Sequence, residues 1–370
     1  MIDKVKLMAM YLPQYHEIPE NNEFWGKGFT DWTTVKSAKQ YFKDVLQPKI
    51  PLNDNYYDLS KMGTLEWQVK LAKEYGIDGF CFYHYWFSSN KQLLQTPAEN
   101  FLKNKELDIN FCFAWDNEPW KRTWDAQEGN AWAPVIDKQI TRKEKKTLVE
   151  FDYEDESGWK KHFDYLLPFF QDKRYMKIDN KPVFMYCNYY EKEKLSKMST
   201  FWNQYAKKFG FDGVCFIAHY SDVISNDISD FTYFYQPHFA GWERCSFPLR
   251  VIDRIKVMNK NRKSPIVYNY ERIWKRIIYQ AKKFKGKKYL YGAFVSYDDS
   301  PRRGERGKCV IGKNVEIFKK YMQELINISK RNNKGCIFFT AWNEWGEGAF
   351  LEPDVEEGLK YLEAIKELKK

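Results

Sequence analysis

The sequence lacks long apolar runs, and none of its hydrophobic segments approaches the roughly 20 residues of a membrane-spanning helix. Residues 1–7 lead straight into a strand-like segment and lack the apolar core of a signal peptide. Cysteine is scarce, with 7 residues in a chain of 370, and no two cysteines form a CxxC pair. Most of them lie inside apolar strand-like segments, which disfavours a disulfide framework and a structural zinc site. We therefore expect a soluble protein of the cytoplasm.

Several catalytic signatures are also missing. The sequence has neither the HxH nor the HExxH spacing of a zinc enzyme, no GxSxG nucleophile elbow, and no P-loop or Rossmann glycine pattern. The arginine- and glycine-rich residues 302–307 match none of these motifs. They form either a mobile lid that contacts a sugar or an anion, or a solvated arginine loop, and the sequence leaves both interpretations open. We expect no metal and no cofactor.

The charge balance is basic, with a formal net charge of +10. Such a balance can indicate a nucleic acid or an anionic membrane as partner. Here much of the excess lies in lysines of helical segments such as residues 282–288, and acidic residues are interspersed through most of the chain. A solvated, lysine-rich surface fits this pattern better, and we expect no nucleic-acid partner. A weak affinity for anionic glycans or lipid head groups stays open, and the oligomeric state is not indicated.

Aromatic residues are abundant, at 18% of the chain with 14 tryptophans. Strand-like segments alternate with helical ones along the whole sequence, a pattern that predicts a parallel sheet. The predicted strands are residues 5–11, 77–82, 109–114, 182–186, 213–218, 230–235, 289–294 and a last one that begins at Gly335. Eight such units predict an α/β fold, the (β/α)8 TIM barrel. We expect one domain over residues 1–370 with long strand-end loops, and an inserted excursion at residues 121–157.

Polar and aromatic residues cluster where the predicted strands end, and four of the five histidines follow a strand. TIM barrels carry their active sites at this face. The candidates for substrate contact are Tyr11, His16, Trp32, His84, Trp86, Trp115, Asp116, Glu118, Trp120, Tyr189, His219, Tyr220, His238, Trp242, Tyr297, Asp298, Asp299, Asn343 and Trp345. Each of them, taken alone, is as compatible with a packed ring or a solvated loop residue as it is with substrate contact.

The candidate catalytic residues are Glu344 and Glu347, which follow the last predicted strand. Trp342 and Trp345 flank them, and two glycines loosen the turn. Two carboxyl groups can divide acid and base catalysis on an acetal between them, and flat rings can pack against the C–H face of a sugar. The pattern therefore predicts an oligosaccharide or polysaccharide substrate, although two solvated loop glutamates beside core tryptophans would give the same short signal.

Five separated motifs make the chain similar to a known family. They are Tyr11-Leu-Pro-Gln-Tyr-His16, Trp25-Gly-Lys-Gly-Phe-Thr-Asp-Trp32, Gly79-Phe-Cys-Phe-Tyr-His-Tyr-Trp86, Trp115-Asp-Asn-Glu-Pro-Trp120 and Trp342-Asn-Glu-Trp-Gly-Glu-Gly348. In this order they resemble the WbsX-type family of bacterial polysaccharide loci, a relative of glycoside hydrolase family 99. The resemblance covers nearly the whole chain and implies a (β/α)8 barrel that acts on α-linked glycans.

The resemblance also implies roles for individual residues. Family 99 ends its barrel with Asn-Glu-Trp-His-Glu-Gly, so Glu344 would be the base that takes the proton of the sugar 2-hydroxyl. Glu347 would be the acid that protonates the leaving oxygen and then the base that activates water. Gly346 stands where family 99 has histidine, which changes one subsite. Residues 297–299 and the arginines after them would contact the substrate.

These roles carry electrostatic expectations. Glu347 would need a pKa raised by burial among aromatic rings. Glu344 would need to stay ionised, assisted by a hydrogen bond from Asn343 or a tyrosine hydroxyl.

Three functions stay open at this stage. The first is a retaining, endo-acting glycoside hydrolase for a bacterial surface polysaccharide of the O-antigen or capsule type, working through a 1,2-anhydro sugar. The second is a glycosyltransferase of lipopolysaccharide or capsule biosynthesis, against which stands the lack of a DxD motif in a nucleotide-binding unit. The third is a glycan-binding barrel without catalysis.

Overall fold

Eight parallel strands close into a barrel in the computed structural model, which describes residues 4–122, 146–189, 191–219, 228–259 and 261–369. The strands are β1 (Lys6–Tyr11), β2 (Gly79–Ser88), β3 (Asn110–Trp115), β4 (Lys181–Tyr186), β5 (Cys215–His219), β6 (Phe231–Tyr233), β7 (Tyr289–Phe294) and β8 (Cys336–Thr340). Each strand pairs in parallel with the next, and β8 pairs with β1 to close the ring. The predicted (β/α)8 TIM barrel is confirmed.

Helices connect and surround the strands. They are α1 (Pro19–Trp25), α2 (Asp31–Lys36), α3 (Met62–Glu74), α4 (Thr96–Lys103), α5 (Glu156–Gln171), α6 (Lys192–Ala206), α7 (Phe247–Met258), α8 (Tyr270–Lys283), α9 (Ser300–Arg303), α10 (Val315–Arg331) and α11 (Lys360–Leu368). The sequence pattern predicted neither the short helices α1 and α2 nor α7. Among the helices of the described ranges, none is both long enough and apolar enough to cross a membrane.

Short strands decorate the loops. They are Lys91–Leu93, Trp120–Arg122, Lys146–Val149, Lys177–Ile178, Ile266–Asn269, Lys308–Ile311, Asn343–Glu344 and Ala349–Phe350. Two of them lie at the two sides of residues 123–145, within the region predicted as an excursion (121–157), and there Trp120–Arg122 pairs antiparallel with Lys146–Val149. Residues 123–145 lie outside the described residues, and α5 already begins at Glu156.

Strand β2 runs six residues beyond its predicted end at Phe82 and reaches Ser88. The alternation of aromatic side chains continues through these residues, so the strand continues with it. Phe82 and His84 face the surrounding helices, where Phe82 meets Phe101 of α4 and His84 stacks on Tyr165 of α5. Residues of the opposite parity, such as Tyr83, therefore face the interior and the mouth of the barrel.

The segment after β8 is fastened to the loop after β1 by buried hydrogen bonds. The side chain of Asn343 accepts from the Leu12 amide at 2.7 Å and donates to the Leu12 carbonyl at 3.0 Å. Below it, the buried Glu352 carboxyl accepts from the Trp345 indole and the Tyr57 hydroxyl, both at 2.7 Å. Burial raises the pKa of Glu352 to about 7. These contacts hold the turn that carries Glu344 and Glu347.

We expect the Asn343→Ala substitution to lower the free energy of unfolding by about 2–4 kcal/mol, because it leaves two buried backbone groups of Leu12 without partners. Urea denaturation followed by circular dichroism measures the change. The control is Asn327→Ala, since Asn327 is exposed and bonds only Gln323 on its own helix, and we expect it to stay within about 0.5 kcal/mol. A loss at Asn343 no larger than in the control would contradict the fastening role.

Candidate active site

The two candidate catalytic glutamates lie on a tight turn at the carboxyl end of β8. Asn343–Glu344 pairs antiparallel with Ala349–Phe350, and a single 3-10 turn over Trp345–Glu347 joins the two. Gly348 closes this turn with a φ of 54°, a conformation that favours glycine. The turn places Glu344 at 4% exposure, while the Glu347 side chain keeps 17%.

Arg302 bridges the two glutamates and a third carboxylate. Its Nη2 lies 3.2 Å from Glu344 Oε2 and 3.2 Å from Asp31 Oδ2, and its Nη1 lies 3.2 Å from Glu347 Oε1. Arg302 comes from α9 after β7, whereas Asp31 begins α2 after β1. Arg302 as a whole residue is 7% exposed. The interpretation of residues 302–307 as a solvated arginine loop therefore does not hold for Arg302.

Gly346 makes room for this bridge. A Cβ atom at position 346 would lie 2.6 Å from Arg302 Nε and 2.8 Å from Asp31 Oδ2. Both neighbours are buried and held by ion pairs, so they could not move aside cheaply. Gly346, which stands where the family 99 motif has histidine, therefore lies directly against the Arg302–Asp31 ion pair, which leaves no room for a side chain at this position.

The buried site shifts the acidity of both glutamates. Burial raises the pKa of Glu344 to about 8, against the opposing effect of Arg302, and the negative charge of Glu347 adds to the rise. Burial also raises the pKa of Glu347, again opposed by Arg302. The raised pKa expected for Glu347 is present. Glu344, expected to be ionised, instead shares the raised pKa, so near neutral pH the pair retains a proton.

The expected helper of Glu344 is also different. The side chain of Asn343 forms hydrogen bonds with the Leu12 backbone, and the group that pairs with Glu344 is the guanidinium of Arg302. Tyr15 supports the cluster from below, since its hydroxyl lies 3.2 Å from Asp31 Oδ2 and donates to the Asn343 carbonyl at 2.7 Å.

Three further tyrosines line the acids, and the sequence analysis did not select them. Burial raises the pKa of Tyr85, and the charges of Asp116 and Glu344 add to it. Burial also raises the pKa values of Tyr83 and Tyr235, with contributions from Glu344 and, for Tyr235, from Glu347. Strand parity could have found Tyr83 and Tyr85, since they alternate with the outward-facing His84.

Four selected residues meet on the Glu347 side of the cleft. The ring of His238 lies 4.8 Å from that of Trp242 and 5.0 Å from that of Tyr297. His219 lies 4.6 Å from Tyr235, which also contacts His238 at 4.9 Å. Burial lowers the pKa of His219 to about 3 and also lowers that of His238, so both rings are neutral and offer hydrogen bonds.

Two acidic candidates lie on the Glu344 side, after β3. Asp116 is half-buried, and its negative charge contributes to the raised pKa of Glu344. Burial raises the pKa of Glu118 to about 7, although Lys121 opposes the rise. Acidic side chains and aromatic rings therefore both lie near the glutamate pair.

Other candidates lie away from the cleft, in the layer between barrel and helices. His84 Nε2 is 2.8 Å from His162 Nε2 on α5, and Trp86 stacks on His162 at 4.5 Å. Trp115 packs against the same histidine at 5.0 Å. Tyr11 donates to Gln68 of α3 at 2.6 Å. Their side chains alternate to the helix-facing side of the strands, and the structure does not bring them to the acids.

The remaining candidates have supporting positions. Trp32 and Trp345 pack together under the cleft at 5.5 Å, and Trp120 packs against Tyr85 at 5.4 Å. Asp298 accepts from Gln47 at 2.8 Å, and Asp299 from Arg303 at 3.1 Å.

Two further candidates, His16 and Tyr189, have described positions. His16 is buried and lines a separate hollow of about 570 Å³ beside Trp32. Tyr189 is half-buried, 6.4 Å from the ring of Tyr186. Tyr220 lies outside the described residues.

Over the described ranges, no group of three or more histidine, cysteine or acidic side chains is arranged to hold a metal ion. The residues that the sequence analysis missed are Asp31, Tyr15, Tyr83, Tyr85 and Tyr235, and it expected Arg302 to contact substrate but not to bridge the two glutamates. For Arg302 a signal existed, because neighbouring strands β7 and β8 end at the same edge and an arginine there faces the glutamates.

Comparison with known proteins gives relatives in sequence and in fold. WxcX proteins of two strains of Xanthomonas campestris pv. campestris are each 27% identical over 366 residues, which covers 98% of this chain and 49% of the relative. The chain thus spans about half the length of these curated relatives.

The fold is similar to that of a family 99 endo-α-mannosidase from Bacteroides thetaiotaomicron, with a TM-score of 0.58 at 12% identity over 99% of this chain and 97% of that one. A glycoside hydrolase-like protein gives a TM-score of 0.56 at 12% identity, covering 100% and 95%. At this identity the likeness shows the fold alone.

The sequence-family comparison is more specific, because the model described as "Glycosyltransferase WbsX" matches residues 7–365. Since this match extends over nearly the whole barrel, the chain belongs to the WbsX family.

Proposed function

We propose that this chain is a retaining, endo-acting glycoside hydrolase that cleaves α-linked glycans of a bacterial surface polysaccharide. The observation that carries the proposal is the Arg302-bridged pair Glu344 and Glu347, set among rings at the carboxyl end of the barrel. Two carboxyl groups held in one buried cluster with raised pKa values suit acid and base catalysis near neutral pH. The family 99 mannosidase with the same fold adds support for the substrate class.

In the proposed first step, the proton that the pair retains lies on Glu347, so Glu344 is ionised and takes the proton of the sugar 2-hydroxyl while O2 attacks C1 to form a 1,2-anhydro sugar. Glu347 donates its proton to the leaving oxygen as the C1–O bond breaks. In the second step Glu347 takes a proton from water, which attacks C1, while the opened O2 recovers its proton from Glu344. Two inversions at C1 give net retention, and both glutamates return to their starting states.

Arg302 is the positioning residue in this scheme. Each of its terminal nitrogens contacts one glutamate, so the guanidinium sets the spacing and orientation of the pair. Its positive charge also opposes the rise in both pKa values. Without it, burial and mutual repulsion would hold both carboxyls protonated at neutral pH, and the base would be lost.

A glycosyltransferase is the second candidate, and the description of the matching family favours it. The two activities differ in what they consume. Purified protein is incubated with a panel of nucleotide sugars plus acceptors and, separately, with surface-polysaccharide oligosaccharides. Cleavage of the oligosaccharides with retention supports the hydrolase, whereas product that forms only from a nucleotide sugar would overturn it. Glycan binding that survives loss of both glutamates, with no product in either assay, would indicate a binding barrel.

The division of roles predicts different responses to the leaving group. We expect Glu347→Gln to lose at least about 100-fold in kcat/KM on a natural glycan but far less on an aryl glycoside, because kcat/KM reports the first step and an aryl leaving group needs no proton. Glu344→Gln should lose activity on both substrates. Glu17→Gln is the matched control, because Glu17 is exposed on the loop between β1 and α1. Equal losses for Glu347→Gln on the two substrates would contradict its role as the acid.

The shared proton predicts a bell-shaped dependence of kcat/KM on pH. The low-pH limb requires loss of one proton from the pair, and the high-pH limb reports loss of the proton on the acid, Glu347. In Glu347→Gln assayed on an aryl glycoside, the high-pH limb should disappear. The low-pH limb should then lie below the pKa of about 8 of Glu344, because the negative charge of Glu347 contributes to that value. A high-pH limb that persists would assign it to another group.

The contact at Gly346 predicts a large effect from one added methyl group. Gly346→Ala places a Cβ within 2.6 Å of Arg302 Nε, so Arg302 must shift and the glutamates lose their spacing. We expect kcat/KM to fall at least about tenfold, since small misplacements cost up to about 100-fold. Gly335→Ala at the start of β8 is the control, because a Cβ there meets nothing within 4 Å. Unchanged activity in Gly346→Ala would show that Arg302 does not need its position.

A further inference from the structure

Helix α7 carries large apolar side chains that the barrel does not cover. Phe247, Ile255 and Met258 are 70%, 64% and 68% exposed, and Val251 and Ile252 are 41% and 48% exposed. None of the helix's described side chains is buried. An exposed apolar patch of this kind marks a surface for interaction.

The apolar side of α7 points away from the barrel. At 100° per residue, Phe247, Val251, Ile255 and Met258 fall on one side of the helix, and Asp253 falls opposite them. Asp253 contacts the rest of the protein, because it accepts a hydrogen bond from Tyr268 and pairs with Lys308 at 3.5 Å. The helix is therefore attached by its polar side and presents its apolar side outward.

Basic residues border the apolar side. Arg250 and Arg254 lie along one edge of it, and both are exposed. The single acidic residue of the helix, Asp253, faces the barrel. The chain as a whole carries a net charge of +10. Exposed apolar residues bordered by arginine are typical of a helix that lies in the interface of an anionic membrane.

The helix lies at the rim of the candidate active site. Asp253 bonds Tyr268, whose ring is 4.9 Å from that of Trp242, and Trp242 in turn lies 5.4 Å from Tyr297 in the cleft wall. Lys308, the second partner of Asp253, lies 4.5 Å over the Trp242 ring. A surface that binds α7 would therefore lie beside the Glu347 side of the cleft.

We propose that α7 docks this chain onto an anionic membrane surface, with Phe247, Ile255 and Met258 in the head-group layer and the arginines against lipid phosphates. Docking would bring the cleft rim beside the bilayer, where a glycan still attached to a lipid would meet it. This second consequence rests on the proposed function, whereas membrane docking itself does not.

Sedimentation with vesicles tests the proposal. We expect the chain to bind vesicles of phosphatidylcholine with phosphatidylglycerol at least about tenfold better than vesicles of phosphatidylcholine alone, and less well as salt rises. Phe247→Asp/Ile255→Asp should reduce this binding at least about tenfold. Arg250→Glu/Arg254→Glu should do the same and remove the preference for anionic lipid.

Matched controls place the same chemistry elsewhere on the surface. Val355→Asp changes a residue that is 49% exposed outside α7, and Lys320→Glu/Arg331→Glu reverses two exposed charges on α10. Thermal melting confirms that every variant is folded. The Asp variants of α7 should keep wild-type activity on a soluble glycan, so a failure of the proposed hydrolase leaves the vesicle result readable.

Two outcomes would overturn the proposal. One is wild-type protein that does not sediment with anionic vesicles, or control variants that lose binding as much as the α7 variants do. The other is a dimer in light scattering that Phe247→Asp/Ile255→Asp converts to a monomer while no vesicle binding is seen, because α7 would then be covered by a second copy of the chain.

Discussion

The contact between one guanidinium and three carboxylates is the interaction on which the site depends. A buried charge is costly unless it is paired, and three buried acids in one place would repel each other without a cation among them. Arg302 supplies that cation to Asp31, Glu344 and Glu347. Burial outweighs the effect of this cation on Glu344 and Glu347, so the pKa values of both glutamates stay raised. Gly346 leaves the space in which this contact can form.

The barrel contributes by bringing distant segments to one edge. Asp31 follows β1, Arg302 follows β7 and the glutamates follow β8, three strands that lie side by side where the ring closes. Asn343 then ties the end of β8 to the Leu12 backbone after β1. The chemistry is therefore supported by the closure of the fold itself, which is the arrangement that parallel barrels favour at their carboxyl ends.

The description of the matching family and the name of a protein with a similar fold refer to different activities, and at 12% identity the second likeness shows the fold alone. The matching family is described as glycosyltransferase, whereas a solved structure with the same fold is an endo-α-mannosidase. A paired acid and base in an aromatic cleft serves the breaking of an acetal more directly than transfer from a nucleotide sugar, which needs a place for phosphates. Helix α7 adds a second feature beside that site, an exposed apolar surface bordered by two arginines.

Much of the architecture follows from the sequence alone. The alternation of apolar strands and amphipathic helices predicts the eight-stranded barrel, and the motif around Glu344 and Glu347 predicts the acid pair, because both signals are local. The orientation of side chains is decided only by the tertiary structure. His84 and Trp86 belong to the same sequence motif as Tyr83 and Tyr85, and Trp115 ends the neighbouring strand. Strand parity turns His84, Trp86 and Trp115 toward α5, whereas Tyr83 and Tyr85, which alternate with His84 and Trp86, face the acids. The predicted barrel already sets the ends of β7 and β8 at one edge, but only the tertiary structure shows that Arg302 turns inward and lies between three carboxylates, because the direction of a loop side chain is not encoded in a local pattern.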